Sequence, residues 1–499
     1  MLPVAPARAS RPARVPSDFN GDGYPDLAIG IPLESARGAP FEGAVSVLYG
    51  GTDGVTAEGD QLWRPSSPGL EWGHEAIAYS RFGDEVEAGN FDGDRFADLA
   101  IGSPDWEQVN VLYGSDDGLT TRRDQRWEPS VPGLVQMDPP FNFRFGDEME
   151  SGDFDGDGSD DLVLRISDTA DTNGESHVRV LYGSEAGLTV AGNQIWAEST
   201  PGVKGRPPAG GVESEFGWSL AAGDFGGGPQ EDLAISEPQD RRGFVHVLYG
   251  SGSGLTAAAD QLWSRERVGM PGTGTRRDMF GASLAAADFG GAGRLDDLAI
   301  GVPGARDHSG AVVVLYAAPG SLSSDRRQVW TQDTFGIDGE AEPDDVFGGR
   351  LVAGDLDGDG FADLASSVAD RSKIGGYGGA VSVIYGMDSC EQRYITVLCA
   401  VGDQRWTPDA LEVPFVGGDG VSFSSSLSIR EDVDHGDLVI GMPGMTVGGF
   451  TDAGGVGVVY GEEGRGLTPA GSQIWTADTP GVLGRAQQDE WFGAWLVSQ

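Results

Sequence analysis

Positive charge is scarce in this chain. It sets 33 Lys and Arg against 78 Asp and Glu, a formal net charge of -45 over 499 residues. A polyanion of this kind repels nucleic-acid backbones and anionic membranes, so neither is expected as a partner. Histidine is equally sparse, with His74, His177, His246, His308 and His435 scattered along the sequence. No Gly-x-Ser-x-Gly, His-Glu-x-x-His or phosphate-binding loop occurs, so the common catalytic signatures are missing. No run approaches the roughly 20 apolar residues of a membrane span. There are two cysteines, Cys390 and Cys399. No His or further Cys stands nearby to complete a metal set, and their short spacing in an insertion spells a local disulfide in an oxidising compartment.

Glycine, by contrast, is abundant. With 81 Gly and 28 Pro the chain turns often, while 39% hydrophobic residues and 12 Trp are too much apolar material for a disordered acidic polymer. The turns recur with a period. An Asp-Leu pair stands at Asp26, Asp98, Asp161, Asp232, Asp297, Asp363 and Asp437, at intervals of 63 to 74 residues. Ahead of five of these lies Phe-Gly, at Phe82, Phe145, Phe216, Phe280 and Phe347, and the seventh repeat substitutes Phe423-Ser424. After each comes a run ending in Tyr, then Gln-x-Trp, from Gln61/Trp63 through Gln473/Trp475.

Each repeat therefore holds four short strand candidates: the segment opened by Phe-Gly, the Asp-Leu segment, the run ending in Tyr, and the Gln-x-Trp segment. Seven such repeats predict an all-β fold, a seven-bladed β-propeller of four-stranded antiparallel blades. The first repeat lacks its Phe-Gly strand, and the chain ends in Trp491-Phe492-Gly493-Ala494-Trp495-Leu496. The C-terminal strand is thus expected to complete blade one. The repeated tryptophans are expected to pack between blades. Residues 18–499 read as a single propeller. Residues 1–17 read as a disordered N-terminal segment, in which Ala7-Arg8-Ala9 before Ser10 has the small-x-small form of a signal-peptide remnant.

Between the first and second strand candidates, four repeats carry Asp/Asn-x-Asp/Asn-x-Asp-Gly or a close variant, closed by the Asp of Asp-Leu. The sets are Asp18, Asn20, Asp22 and Asp26; Asn90, Asp92, Asp94 and Asp98; Asp153, Asp155, Asp157 and Asp161; and Asp355, Asp357, Asp359 and Asp363. Oxygen side chains at positions 1, 3, 5 and 9 of a glycine-bearing turn wrap a hard cation as the start of an EF-hand loop does, and a flexible all-oxygen set suits Ca2+ better than Mg2+ or zinc. About four Ca2+ sites are expected. Repeats four and five keep Asp224/Asp232 and Asp288/Asp297 but lose the carboxylates between them, and repeat seven is shortened to Asp432, Asp434 and Asp437. These three are expected to bind weakly or not at all.

The Phe-Gly pairs, these loops, and segment ends such as Gly102-Ser103-Pro104 and Gly301-Val302-Pro303 resemble the FG-GAP family, the repeats of the integrin alpha-subunit head. Gly-Leu-Thr runs at 118–120, 187–189, 254–256 and 466–468 resemble its secreted bacterial branch. The resemblance covers residues 18–497 and implies a calcium-stabilised propeller used for adhesion, ligand binding or as an accessory domain.

On this reading the protein is a secreted or cell-surface monomer that recognises a protein or carbohydrate ligand. An alternative is an enzyme in the propeller funnel (polysaccharide lyase, glycoside hydrolase or biosynthetic cyclase), since acid–base work needs only two placed carboxylates. A second alternative is a structural envelope protein. Acids after Phe-Gly (Asp84, Glu85, Asp147, Glu148) and tryptophans outside the repeat pattern (Trp72, Trp106, Trp218, Trp491, Trp495) are candidates for a rim or channel site. So are the divergent insertions at Trp72–His74, 132–144, 331–345 and around the cysteines.

Overall fold

The computed structural model describes residues 16–36, 38–70, 78–135, 143–168, 175–205, 215–238, 243–271, 274–290, 295–369, 379–387, 397–411, 422–431 and 435–497. Their strands form seven four-stranded antiparallel sheets, each ordered innermost to outermost as the four segments of one repeat. The second and third strands, such as Leu27–Ile31 and Ala44–Tyr49, are buried along their whole length, whereas the fourth, such as Thr56–Trp63, is half exposed. Each blade is covered on both faces by its neighbours, so its central strands are continuous apolar runs and not alternating ones.

Closure follows the expected route. Trp495–Val497 is the innermost strand of the first blade, with Ala28 opposite Val497 and Gly30 opposite Trp495. The buried apolar side chains form seven clusters, and each joins two adjacent blades. One of these sets Leu27, Ile29 and Leu48 of the first blade against Val439, Val456 and Trp475 of the seventh. Every blade therefore has an apolar partner on both sides, with no edge of the ring left open.

The Tyr and Gln of each repeat act together. The third strand slips its register just before Tyr in all seven blades. This bulge brings the phenol onto the Gln of its own fourth strand, as for Tyr49 Oη to Gln61 Oε1 at 2.8 Å and Tyr113 to Gln125 at 2.6 Å. The phenol then accepts the backbone N–H of the next blade: Leu119 N to Tyr49 at 3.3 Å, Leu188 N to Tyr113 at 3.3 Å, Leu467 N to Tyr385 at 3.0 Å. The Gln amide donates to the carbonyl of the same leucine, at 3.0 Å for both Leu119 and Leu188. At the closing interface Val55 N donates to Tyr460 Oη at 3.1 Å. The Gly of Gly-Leu-Thr is where the phenol lands. Gly118, Gly187, Gly254 and Gly466 have φ of +76 to +91°, and a Cβ on any of them would collide with the Tyr hydroxyl of the preceding blade.

The Phe-Gly pair has a comparable cause. Phe82, Phe145, Phe216, Phe280, Phe347 and Phe492 are fully buried, and the glycines that follow them take φ between +74 and +88°. Ser424 holds that left-handed position in the seventh blade at φ +65°, with its hydroxyl donating to the Ala380 carbonyl at 3.2 Å. Among the described residues no helix is long and apolar enough to cross a membrane.

A chain ending at residue 488 should lose the closing strand and uncover the apolar sides of blades one and seven. It is expected to self-associate and melt well below the full chain, as read by size-exclusion chromatography and calorimetry. A monomer with an unchanged melt would show that this strand contributes nothing to closure.

Candidate functional site

In the second to sixth blades the innermost strand runs from one mouth of the central channel to the other, where it enters the carboxylate loop. In the carboxylate loops the position-1 acid folds the turn around itself: Asp18 accepts Gly21 N at 2.7 Å and Gly23 N at 2.9 Å, and Asp355 accepts Gly358 N and Gly360 N, both at 2.8 Å. Positions 3 and 5 do the same two residues on, as in Asp157 N to Asp155 at 3.0 Å and Phe361 N to Asp359 at 2.9 Å. Two loops gather three carboxylates with oxygens within 4.8 Å of one another, namely Asp153, Asp155 and Asp161, and Asp355, Asp357 and Asp363. These all-oxygen sets fit a hard cation. Burial pushes the Asp161 carboxyl up to about 9, and the charges of Asp155 and Asp153 add to the rise. The first and second loops each replace one acid by an amide. Asn90 Nδ2 donates to the Asp94 carbonyl at 2.7 Å while its Oδ1 is buried without a partner, and Arg123 is ion-paired to Asp92.

The position-9 Asp does something a metal reading alone misses. In all seven blades it accepts the backbone N–H that follows the third-strand Tyr, at 2.7 to 3.1 Å. That is why Asp232, Asp297 and Asp437 persist where their loops have lost the other acids. In the seventh blade Arg430 stands opposite Asp437, the place taken by Gly89, Gly152, Gly223 and Gly354 elsewhere. Its buried guanidinium donates to Asp437 Oδ2 at 2.8 Å and to the Pro25 carbonyl of the first blade at 2.5 Å. A fixed cation thus sits beside the shortened loop. An arginine following Leu427, Ser428 and Ile429 in an innermost strand was the sequence signal for it. Asp432 and Asp434 lie outside the described residues.

Of the channel candidates, Glu85 and Glu148 do face the axis, and two residues further on Glu87 and Glu150 join them around a cavity of about 210 Å³. Most of these acids have a structural task. The innermost strand of a blade is an edge strand whose free N–H groups need acceptors. Glu87 accepts Ser151 N at 3.0 Å, Glu148 accepts Leu220 N at 3.3 Å and Glu150 accepts Ala222 N at 3.0 Å, each across a blade interface. From the other side Asp160, Glu231, Asp296 and Glu431 cap Asn90, Asp153, Asp224 and Asp355 N–H at 2.7 to 3.1 Å. Glu85 differs, because its Oε2 is buried with no hydrogen-bond partner. Burial raises all four glutamates above the ordinary value. Neighbouring carboxylates push Glu85, Glu87 and Glu150 further, while Arg350 and Arg165 pull Glu148 back.

Above this cluster, on the mouth away from the carboxylate loops, lies an open basin of about 480 Å³. Arg81 pairs with Asp84 at 2.7 Å, and Arg144 reaches Asp105 at 3.1 Å and Asp84 at 3.5 Å. Asp147 accepts Ser167 Oγ at 2.6 Å. Arg350 lies 5.6 Å from the centre of the Trp495 ring and borders both the basin and the channel cavity. Trp491 is 40% exposed on the rim.

The remaining candidates are dispersed. Trp106 is 45% exposed in the turn Pro104–Trp106, and Trp218 lies under Arg165 at 5.5 Å. Six of the seven Gln-x-Trp tryptophans are buried, and Trp63 is partly so. His246 is fully buried, edge-on to Phe216 at 5.3 Å, and burial lowers its imidazole to about 4. His177, His246, His308 and His435 occupy four different blades, while Trp72 and His74 lie outside the described residues. Of the expected Cys390–Cys399 disulfide, Cys390 lies outside the described residues. Cys399 is disulfide-bonded and lies buried in the fourth strand, opposite Tyr385.

A family model described as FG-GAP repeat matches residues 15–48 and 347–384, the stretches holding the first and sixth repeats' loops. The chain is similar to integrin alpha pat-2 of Caenorhabditis briggsae, at 24% identity over 315 residues, 62% of this chain and 24% of that protein. It is also similar to phosphatidylinositol-glycan-specific phospholipase D of Rattus norvegicus, at 30% identity over 191 residues, 35% of this chain and 21% of that one. It thus spans about a quarter or less of the length of these curated relatives. Among solved structures, the exotype rhamnogalacturonan lyase YesX overlays with a TM-score of 0.34 at 11% identity, covering 84% of this chain and 70% of that one. That overlay is too loose to bear on activity.

Two outcomes follow from the carboxylates. The channel glutamates hold protons in the folded chain that the unfolded chain releases above about pH 4.5, so stability should fall as pH rises from about 5 to about 8 in saturating Ca2+. Glu87→Gln keeps an acceptor for Ser151 N and should flatten that slope and raise the melt at the alkaline end; an unaltered slope would contradict the assignment. Arg430→Ala leaves Asp437 buried without its cation and should cost about 3–5 kcal/mol in urea unfolding, with or without Ca2+.

Proposed function

We propose that this FG-GAP-like propeller, a distant relative of the integrin alpha N-terminal domains, is a ligand-recognition module stiffened by Ca2+ at one mouth and reading its ligand at the other. The observation that carries this reading is the basin above the channel. It combines arginines, aspartates and a half-exposed tryptophan on the ends of rigid innermost strands. A mixed set of charged and aromatic groups held by a closed ring is suited to recognition. The propeller comprises residues 18–499 and works as a secreted or cell-surface monomer.

Ca2+ is assigned to the loops of Asp18, Asn20, Asp22 and Asp26; Asn90, Asp92, Asp94 and Asp98; Asp153, Asp155, Asp157 and Asp161; and Asp355, Asp357, Asp359 and Asp363. The grouped carboxylates of the third and sixth repeats support the assignment most directly. In the second repeat Arg123 competes for Asp92, so that loop is the weakest of the four. The ions act on stability, because every ligand comes from one turn and a cation bound to the folded state alone stabilises it by mass action. The channel glutamates do not favour an enzymatic reading. Three of the four already accept backbone N–H groups across blade interfaces.

Calorimetry with and without a chelator, beside calcium titration, tests the metal half. Removal of Ca2+ should lower the melt by more than about 5 °C. Asp155→Asn with Asp357→Asn should reproduce most of that fall, and an unchanged melt after verified metal removal would defeat the assignment. For the recognition half, the calcium-loaded chain is screened against an immobilised glycan array and a displayed random-peptide library. Hits in either that vanish in Trp491→Ala support the basin; hits indifferent to that substitution place recognition elsewhere.

A further inference from the structure

The basin's unpaired atoms say what kind of ligand it takes. Arg81 Nε, a donor, and Asp147 Oδ1, an acceptor, are both buried without a hydrogen-bond partner. Glu85 Oε2, a second unpartnered acceptor, belongs to a residue only 8% exposed, and it lines the channel cavity that shares Arg350 and Trp495 with the basin. Buried polar groups are ordinarily satisfied, and each orphan costs free energy until something pairs with it. Two such atoms in the basin, with a third in the cavity adjoining it, therefore point to a molecule that supplies the missing partners.

That molecule has to accept at Arg81 and donate at Asp147 and Glu85. Hydroxyl groups do both. A purely anionic ligand would satisfy the arginine but meet the carboxylates of Asp84 and Asp147. A purely cationic one would meet Arg81, Arg144 and Arg350. Neither sign is matched by the whole set, whereas a ring of hydroxyls is. The flat, 40% exposed face of Trp491 on the rim supplies an apolar platform with a polar edge, suited to the C–H face of a sugar ring. A space of about 480 Å³ lies in the range of small-molecule sites. We infer that the basin binds a neutral saccharide, stacked on Trp491 and hydrogen-bonded to Arg81, Asp147 and Glu85. The inference rests on the recognition reading above and narrows it to one ligand class.

The glycan array decides it when neutral, uronic-acid and sulfated glycans are scored separately for the full calcium-loaded chain, with the peptide library beside it. Expected is retention of one or more neutral glycans, weakened about tenfold or more by Trp491→Ala and by Asp147→Asn. Phe335→Ala, an exposed residue outside the basin, should leave binding unchanged. Melting curves of each variant separate lost binding from lost folding, and Asp147→Asn retains an acceptor for Ser167 should Trp491→Ala prove unstable. Retention of acidic glycans alone overturns the neutral class. Peptide hits that depend on Trp491, with no glycan retained, overturn the saccharide while leaving the recognition reading standing. The absence of any Trp491-dependent hit in either screen sinks both.

Discussion

What the whole molecule leans on is the contact between one blade's Tyr–Gln pair and the backbone of the next blade's Gly-Leu segment. A propeller has no central core. Its stability is distributed over interfaces between neighbours, and an apolar interface between two flat sheets could slide. The phenol and the carboxamide take hold of a main-chain N–H and carbonyl across that interface, and so fix the register of blade on blade. Each such bond contributes only about 1 kcal/mol net, but the arrangement recurs around the ring, and the closing copy joins Tyr460 to Val55. The constraint is shared. The third strand must bulge to deliver the phenol, and at five interfaces the residue it lands on is a glycine (Gly54, Gly118, Gly187, Gly254 and Gly466) whose Cβ would block it.

A second economy governs the acids. The chain carries a large excess of negative charge, and much of it sits where backbone N–H groups need acceptors. The position-9 aspartates bind the ends of third strands, the channel glutamates and the acids preceding Asp-Leu cap innermost strands, and the position-1 aspartates wind the loops. Concentrating carboxylates in this way raises their proton affinity and calls for counter-charge. Cations at the acid-rich loops are one answer. Arg430, reaching from the seventh blade to both Asp437 and Pro25, is a covalent one, placed at the interface where the first and last repeats meet.

The two mouths of the channel differ as a result. One is committed to the loops that turn each innermost strand outward, with their acids engaged by the backbone. At the other the strands begin, and the side chains there are set by a framework that does not need all of them. Arg81 and Asp147 retain unpaired atoms in that basin, and Glu85 retains one in the adjoining channel cavity, which is the signature of groups kept for something other than folding.

How much of this was legible beforehand varies by feature. Period, strand content, blade number and closure by the C-terminal strand could be read directly, because repeats that pack alike must place glycine, phenylalanine and aspartate at matching points, and a missing first strand has to be supplied by the end of the chain. The loop acids could be read for the same reason. What could not be read was which of them gather and which do other work. The recurrence of Asp-Leu looked like a metal position and is also a backbone staple; Gln-x-Trp looked like apolar packing and is also half of an interblade clamp. Arg430 and the basin lie beyond any local pattern. Arg430 acquires its meaning from Pro25, 405 residues away in sequence, and the basin assembles residues 81, 147, 350 and 491 from blades that only the closed ring brings together. Spacing along the chain determined the ring; the identity of a site inside it was decided by which side chains the ring leaves without partners.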